Sequence, residues 1–185
     1  MGKPIIGRLI YALMIGLIGA GIVHIAVLLL VPVYSDRNAW SRISTYGNPY
    51  RFHVLETEKD GRGGAHDPLF QEAACRFNLL DGPVHVTAAG NVPFWSVSIY
   101  NRRGENLYSF NDRTSTDGKL DLVVANPVQM VDLKKDLPEA VAQSILVEKD
   151  IGEGFVVIRG FTPDQSWQPS VRNFLSEADC RSLPM

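Results

Sequence analysis

Between Asn91 and Arg113 the chain reads NVPFWSVSIYNRRGENLYSFNDR, with five aromatics, three arginines and one aspartate in 23 positions. Asn111, Asp112 and Arg113 at its end, with Tyr100 and Arg102 upstream, form the best polar constellation in the sequence. An Asp–Arg pair near tyrosine hydroxyls can bind a carboxylate or a sugar, and such groups can in principle move protons. The competing reading is structural. Asn and Asp bond their own backbone in Asx-type turns, and an ion pair there steadies the turn. Both readings stand at this point. Arg102 and Arg103, at a turn tip, read as solvated.

Other reactive groupings are sparse. The sequence holds no G-x-S-x-G serine elbow and no H-E-x-x-H. His24 falls in an apolar run, while His53, His66 and His85 are scattered, with no two at ligand spacing. Neither a metal site nor a cofactor is expected. Glu148, Asp150 and Glu153 lack the ligand spacing of a calcium loop and read as a solvated turn. The Gly-rich TEKDGRGGAH at 57–66 lacks the Lys-Ser/Thr ending of a phosphate-cradling loop. Asp67 reads as the cap of a short turn at DPLF. The cysteines are Cys75 and Cys180 alone. In an exported domain they read as one disulfide; in the cytosol they would be two buried thiols. Paired, they close a loop around most of the domain, worth about 4–5 kcal/mol as an upper estimate.

The elements that must position these residues are mostly strands. In 94–100, Trp95, Val97 and Ile99 take one face and Ser96, Ser98 and Tyr100 the other. NRRG then turns the chain into a returning strand over 105–110, so the aromatic run is a β-hairpin. AACRFNL (73–79), the turn LDGP and VHVTA (84–88) read as an earlier hairpin with Val84 and Val86 inward. YRFHVLE (50–56) and KLDLVVA (119–125) read as further strands. SILVE (144–148) and FVVIRGF (155–161) read as another hairpin. NPVQMVDLKK predicts a helix capped by Asn126, with Pro127 at its first position and Lys134 and Lys135 in its last turn. Trp167, Val171, Phe174, Leu175 and Ala178 fall on one helical face, with Cys180 just beyond, so that helix is expected to be stapled to the strand carrying Cys75. The fold class is α+β, mainly antiparallel: a sandwich or roll of about eight strands with a C-terminal helix and no βαβ rhythm.

Leu9 to Val33 is 25 residues without a formal charge. That suffices to span a bilayer with some tilt, and it is too long for the apolar region of a cleaved leader, so a retained transmembrane helix is expected. Residues 1–8 would be a cytoplasmic tail. Residues 34–66 would hold a second, surface-lying helix starting at Ser35–Asp36, then a strand and a loop. Residues 67–185 would be the β-rich extracytoplasmic domain. Charges flanking the span are close to a draw under the positive-inside rule, and the cysteine pair favours a periplasmic body anchored in the bacterial inner membrane. From Tyr34 onward all 20 acids but 16 of the 18 bases occur, a net charge of −4 that argues against nucleic acid as a partner. Within the span, Ala12, Gly16, Ala20 and His24 recur every fourth residue. The row suits close approach of another helix, although Gly and Ala are common in membrane helices anyway. A histidine at bilayer depth wants a partner, which favours a helix–helix contact there.

The segments DPLFQEAACRFNLLDGPVHV, VPFWSVSIYNRRGENLYSFNDR, LDLVVANPVQM and DIGEGFVVIRGF also resemble domain-of-unknown-function family 1254, in its short bacterial form with one N-terminal span. The similarity runs from about Asp67 to Phe161 and through the W-x-P helix to Cys180. It implies a β-rich domain, an envelope location and assembly beside a sibling membrane protein bearing a related domain. It implies no established reaction and so assigns no catalytic residues. Longer members join two related domains in one chain, whereas this chain carries one. The expected function is therefore a non-enzymatic, membrane-anchored module; the alternative is a small-ligand binder or enzyme using the Tyr100, Asn111, Asp112 and Arg113 region.

Overall fold

The computed structural model of the chain describes residues 3–55 and 67–184, so the Gly-rich loop at 57–66 lies outside the described residues. The chain divides into an N-terminal unit, Met1–Ala39, and a body, Trp40–Met185. Helix α1 is Lys3–Thr45. Within it Ile6–Val31, 26 residues whose most apolar 18-residue stretch has a mean hydropathy of 2.6, is apolar enough to cross a membrane by length and composition. No second helix begins at Ser35. A serine caps a helix only where the backbone before it has left helical geometry, and here the helix runs through that position.

Among its described residues the body contains nine strands, one more than the approximate count expected from the sequence. They are β1 (His53–Leu55), β2 (Phe70–Asn78), β3 (Val84–Ala88), β4 (Trp95–Asn101), β5 (Asn106–Asn111), β6 (Leu120–Ala125), β7 (Ile145–Glu148), β8 (Glu153–Phe161) and β9 (Asp179–Ser182). Helix α2 (Pro127–Lys135) lies between β6 and β7, and α3 (Gln168–Ser176) precedes β9. One sheet has the order β1-β2-β8-β4-β5 and is wholly antiparallel; the other has the order β7-β6-β3-β9, with β6 and β7 parallel. Strands that alternate apolar and polar residues bury one face of each sheet, and the two buried faces meet. Phe77, Trp95, Val97, Ile99, Val156 and Ile158 from the larger sheet share one core with Val84, Val86, Leu120, Leu122 and Val124 from the smaller.

Two of the three expected hairpins are not hairpins. The β4–β5 hairpin forms, with Ile99 opposite Tyr108. β2 and β3, however, belong to different sheets, and the LDGP turn carries the chain between them through a 3-10 turn at Leu79–Asp81 capped by the Asn78 side chain. β7 and β8 likewise separate: β7 pairs with β6, and β8 inserts between β2 and β4. The β6-α2-β7 connection is thus a βαβ unit, contrary to the expected absence of that rhythm. A turn between strands reverses the chain whether the second strand pairs with the first or faces it from another sheet, so turn residues do not distinguish the cases.

The disulfide is present: Cys75 and Cys180 are bonded, 105 residues apart in sequence. It staples β2 to β9, so it joins the two sheets rather than holding the C-terminal helix, because Cys180 lies on a strand that pairs with β3. Helix α3 closes the core with Val171, Phe174 and Leu175, all buried. It approaches β8 so closely that a Cβ on Gly160 would lie 2.5 Å from Val171 Cγ1. The outer face of the larger sheet is covered in part by the last turns of α1, where Ile43 is buried and Trp40 packs on Phe155 at 6.3 Å between centroids. Trp40 also has the guanidinium carbons of Arg76 and Arg102 at 5.7 and 5.6 Å from its ring centroid. Trp40 therefore belongs to the body's packing.

Candidate functional site

The residues singled out from the sequence are spread along the β4–β5 hairpin. Tyr100 stacks on Phe155, with centroids 5.0 Å apart and planes 12° from parallel. Its strand partner is Asn106, whereas Asn111 pairs with Ser96, four residues away along β4 or about 13 Å. Tyr100 and the Asn111–Arg113 group thus occupy opposite ends of the hairpin. At the far end Asn111 Oδ1 accepts from the Arg113 amide at 3.1 Å and the Asn111 amide donates to Thr114 Oγ1 at 3.4 Å, within the capping box of a 3-10 turn. Asp112 turns one carboxylate oxygen, Oδ1, inward, without a hydrogen-bond partner among the described residues. At the near end Arg102, read from the sequence as solvated, is ion-paired with Glu153 and lies over the Trp40 ring. Asn101 and Arg103 both donate to Glu105, and those two bonds, the Asn101 one foremost, hold its carboxyl below the ordinary range. In α1, a Cβ on Gly16 would meet nothing within 4 Å; Ala12, Ala20 and His24 share its exposed setting.

The structure assembles a different polar group on the outer face of the smaller sheet. On β3, Val84 and Val86 point into the core, so His85 points the other way; on β6, Leu120 and Leu122 do the same for Asp121. Asp121 is in register with Thr87, one diagonal step from His85, and His85 is directly opposite Arg181 of β9. His85 is only 3% exposed. Its Nε2 lies 2.9 Å from Asp121 Oδ1, and its Nδ1 faces the Arg181 guanidinium at 3.5 Å. A guanidinium only donates, so Nδ1 accepts and Nε2 carries the hydrogen toward the carboxylate. The Ser144 hydroxyl donates to the same Asp121 oxygen. A polar row, Arg181–His85–Asp121–Ser144, thereby crosses the sheet from β9 to the entrance of β7.

Asp121, half-buried, lines a depression of about 310 Å³ with Thr87, Ala89, Lys119 and Glu177 among its neighbours. An ammonium and two carboxylates around one hollow can hold a small ligand bearing both charges. The row itself is not a nucleophilic relay. Ser144 gives its hydrogen to the carboxylate instead of to the imidazole, and His85 is too buried to reach a substrate, so the serine has no positioned base. The sequence does carry a signal for this group: in VHVTA and in KLDLVVA the polar residue sits between two inward apolar ones. Only the pairing of β3 with β6 brings the two together.

A third polar cluster fastens the start of the body. Tyr50 adopts φ 60°. Its hydroxyl donates to Asp81 Oδ2 at 2.6 Å, lies 3.0 Å from the Asn78 carbonyl and accepts from the Asn78 amide at 3.2 Å. Partial burial, then the bond to Asp81, push its pKa up to about 12.

These features define an α+β body of two facing, mostly antiparallel sheets with its polar network on one outer face. The fold is similar to that of the VPA0106 protein from Vibrio parahaemolyticus, with a TM-score of 0.60 at 13% identity over 81% of this chain. An uncharacterized protein from Burkholderia cenocepacia aligns at a TM-score of 0.46 and 14% identity over 82% of the chain. The chain spans about a third of the first protein's length, 35%, and 43% of the second's. No protein-family model matches the chain, and no curated protein matches it.

Proposed function

We propose that this chain is a membrane-anchored module of the bacterial envelope, with its body on the periplasmic side of the inner membrane. The observation that carries the reading is the pairing of an apolar 26-residue helix with a body stapled by a disulfide. Disulfides persist in oxidising compartments, and a chain with such a helix reaches one by crossing or entering the membrane. The resemblance to family 1254 belongs to the same proposal, as does a non-enzymatic role in which the module assembles with a sibling membrane protein bearing a related domain. The Ala12, Gly16, Ala20 and His24 row offers that partner a helix surface.

Affinity capture of the detergent-solubilised chain tests the assembly: a stoichiometric membrane partner supports it, and recovery of the chain alone overturns it. Intact mass of the membrane-fraction protein tests the anchor. A mass that includes the apolar helix supports retention, and loss of that segment shows a cleaved leader. A second reading, binding of a small zwitterion, is favoured by the hollow beside Lys119, Asp121 and Glu177. Titration of the chain with amino acids, followed by amide shifts at those residues, decides it.

A further inference from the structure

The strand register places several features at one end of the body. Asn78 is opposite Glu153, Asn101 opposite Gly154, and Val84 opposite both Val124 and Ser182, so the end of β2, the 101–105 turn, the start of α2 and the end of β9 lie together. The chain enters the body at this same end: Tyr50 donates its amide to the Arg76 carbonyl, and Trp40 packs beside Arg102. Here Leu80, at the tip of the 3-10 turn after β2, is 81% exposed, and Val128, in the first turn of α2, is 72% exposed. Gln129 Nε2 donates to the Leu79 carbonyl at 2.5 Å, which ties the two elements side by side. A leucine at the tip of a polar turn and a valine beside it are apolar surface that nothing in the body's own core requires.

We infer that this end of the body rests on the bilayer, with Leu80 and Val128 seated in lipid. The inference depends on the anchor proposed above. Nine residue steps separate Val31, the end of the apolar segment, from Trp40. They reach about 14 Å as helix and about 30 Å at full extension, so the entry end cannot move far from the membrane surface. Lipid is therefore the apolar phase held next to the two side chains. Two arginines at this end are engaged, Arg102 with Glu153 and Arg103 with Glu105. A contact made by Leu80 and Val128 rests on apolar burial and should not need anionic headgroups.

The test uses the full chain reconstituted in lipid nanodiscs, as Leu80→Cys and Val128→Cys variants labelled with a fluorophore. Cys75 and Cys180 are bonded to each other, so the introduced thiol is the one that reacts. Arg113→Cys, exposed at the opposite end of the hairpin, is the control. Nitroxide-bearing lipids are expected to quench the labels at 80 and 128 several-fold more than the label at 113, equally in phosphatidylcholine and phosphatidylglycerol discs. Equal, weak quenching at all three positions overturns the inference, as does quenching confined to anionic discs. Cross-linking between unlabelled Leu80→Cys chains would overturn it in favour of a second copy covering this end. Failure of the chain to enter discs at all would instead refute the membrane anchor, which separates the two proposals.

Discussion

At the scale of residues, the body is held by polar groups whose partners come from distant sequence. Asp121 accepts from both His85 and Ser144, so removing it orphans a buried imidazole N–H. Asp121→Ala is expected to cost about 1–3 kcal/mol in urea unfolding, and Ser144→Ala less, since the hydroxyl leaves no buried donor behind. Tyr50 makes a different prediction. Tyr50→Phe keeps the ring and removes the bonds to Asp81 and Asn78, with an expected loss of about 1–2 kcal/mol near neutral pH. The native state holds the Tyr50 proton up to about pH 12, against about 10 in the unfolded chain. Its stabilisation is therefore complete below about pH 10 and is lost as pH climbs from there toward 12. Alkaline unfolding curves should show this extra loss in the parent protein and not in Tyr50→Phe.

At the scale of elements, helix α3 and strand β8 fit through the absence of one side chain. With Gly160 Cβ-to-Val171 Cγ1 at 2.5 Å, Gly160→Ala must push the helix outward or distort the strand. Overpacking of this kind costs about 1–3 kcal/mol. Adding Val171→Ala to the same chain should recover part of that loss, and a double-mutant cycle in urea measures the coupling. If the two changes simply add, the helix does not rest on Gly160 in the way described. Helix α2 illustrates local control instead. Asn126 and Gln129 exchange side-chain to backbone bonds at 2.9 and 3.0 Å, and Pro127 opens the helix, so its start is written in four consecutive residues.

For the whole molecule the disulfide is the decisive cross-link, because it joins one sheet to the other and not two neighbouring strands. Its closed loop of about a hundred residues implies up to about 4–5 kcal/mol of stabilisation by restriction of the unfolded chain. Reduction, or replacement of both cysteines by alanine, should lower the urea midpoint accordingly. The expected fold persists with weakened sheet-to-sheet packing, as both sheets keep their own ladders. An unchanged midpoint would mean that the unfolded chain gains no freedom from losing the bridge.

The apolar segment, the alternation of Trp95, Val97 and Ile99, the Asn126 cap and the helical face of α3 were all readable in advance, because each depends on a few adjacent residues and on the geometry of one element. Pairing did not follow from the same signals. LDGP and the stretch around Asp150 mark breaks between strands correctly, yet β2 and β3 part into facing sheets and β8 finds its place between two strands far away in sequence. The His85–Asp121 row was hidden for the same reason: its members are 36 positions apart and become neighbours only when β3 lies against β6. Local sequence determines where a side chain points relative to its own strand. Which strand lies next to it is settled by burying two apolar faces against each other, a condition on the entire chain.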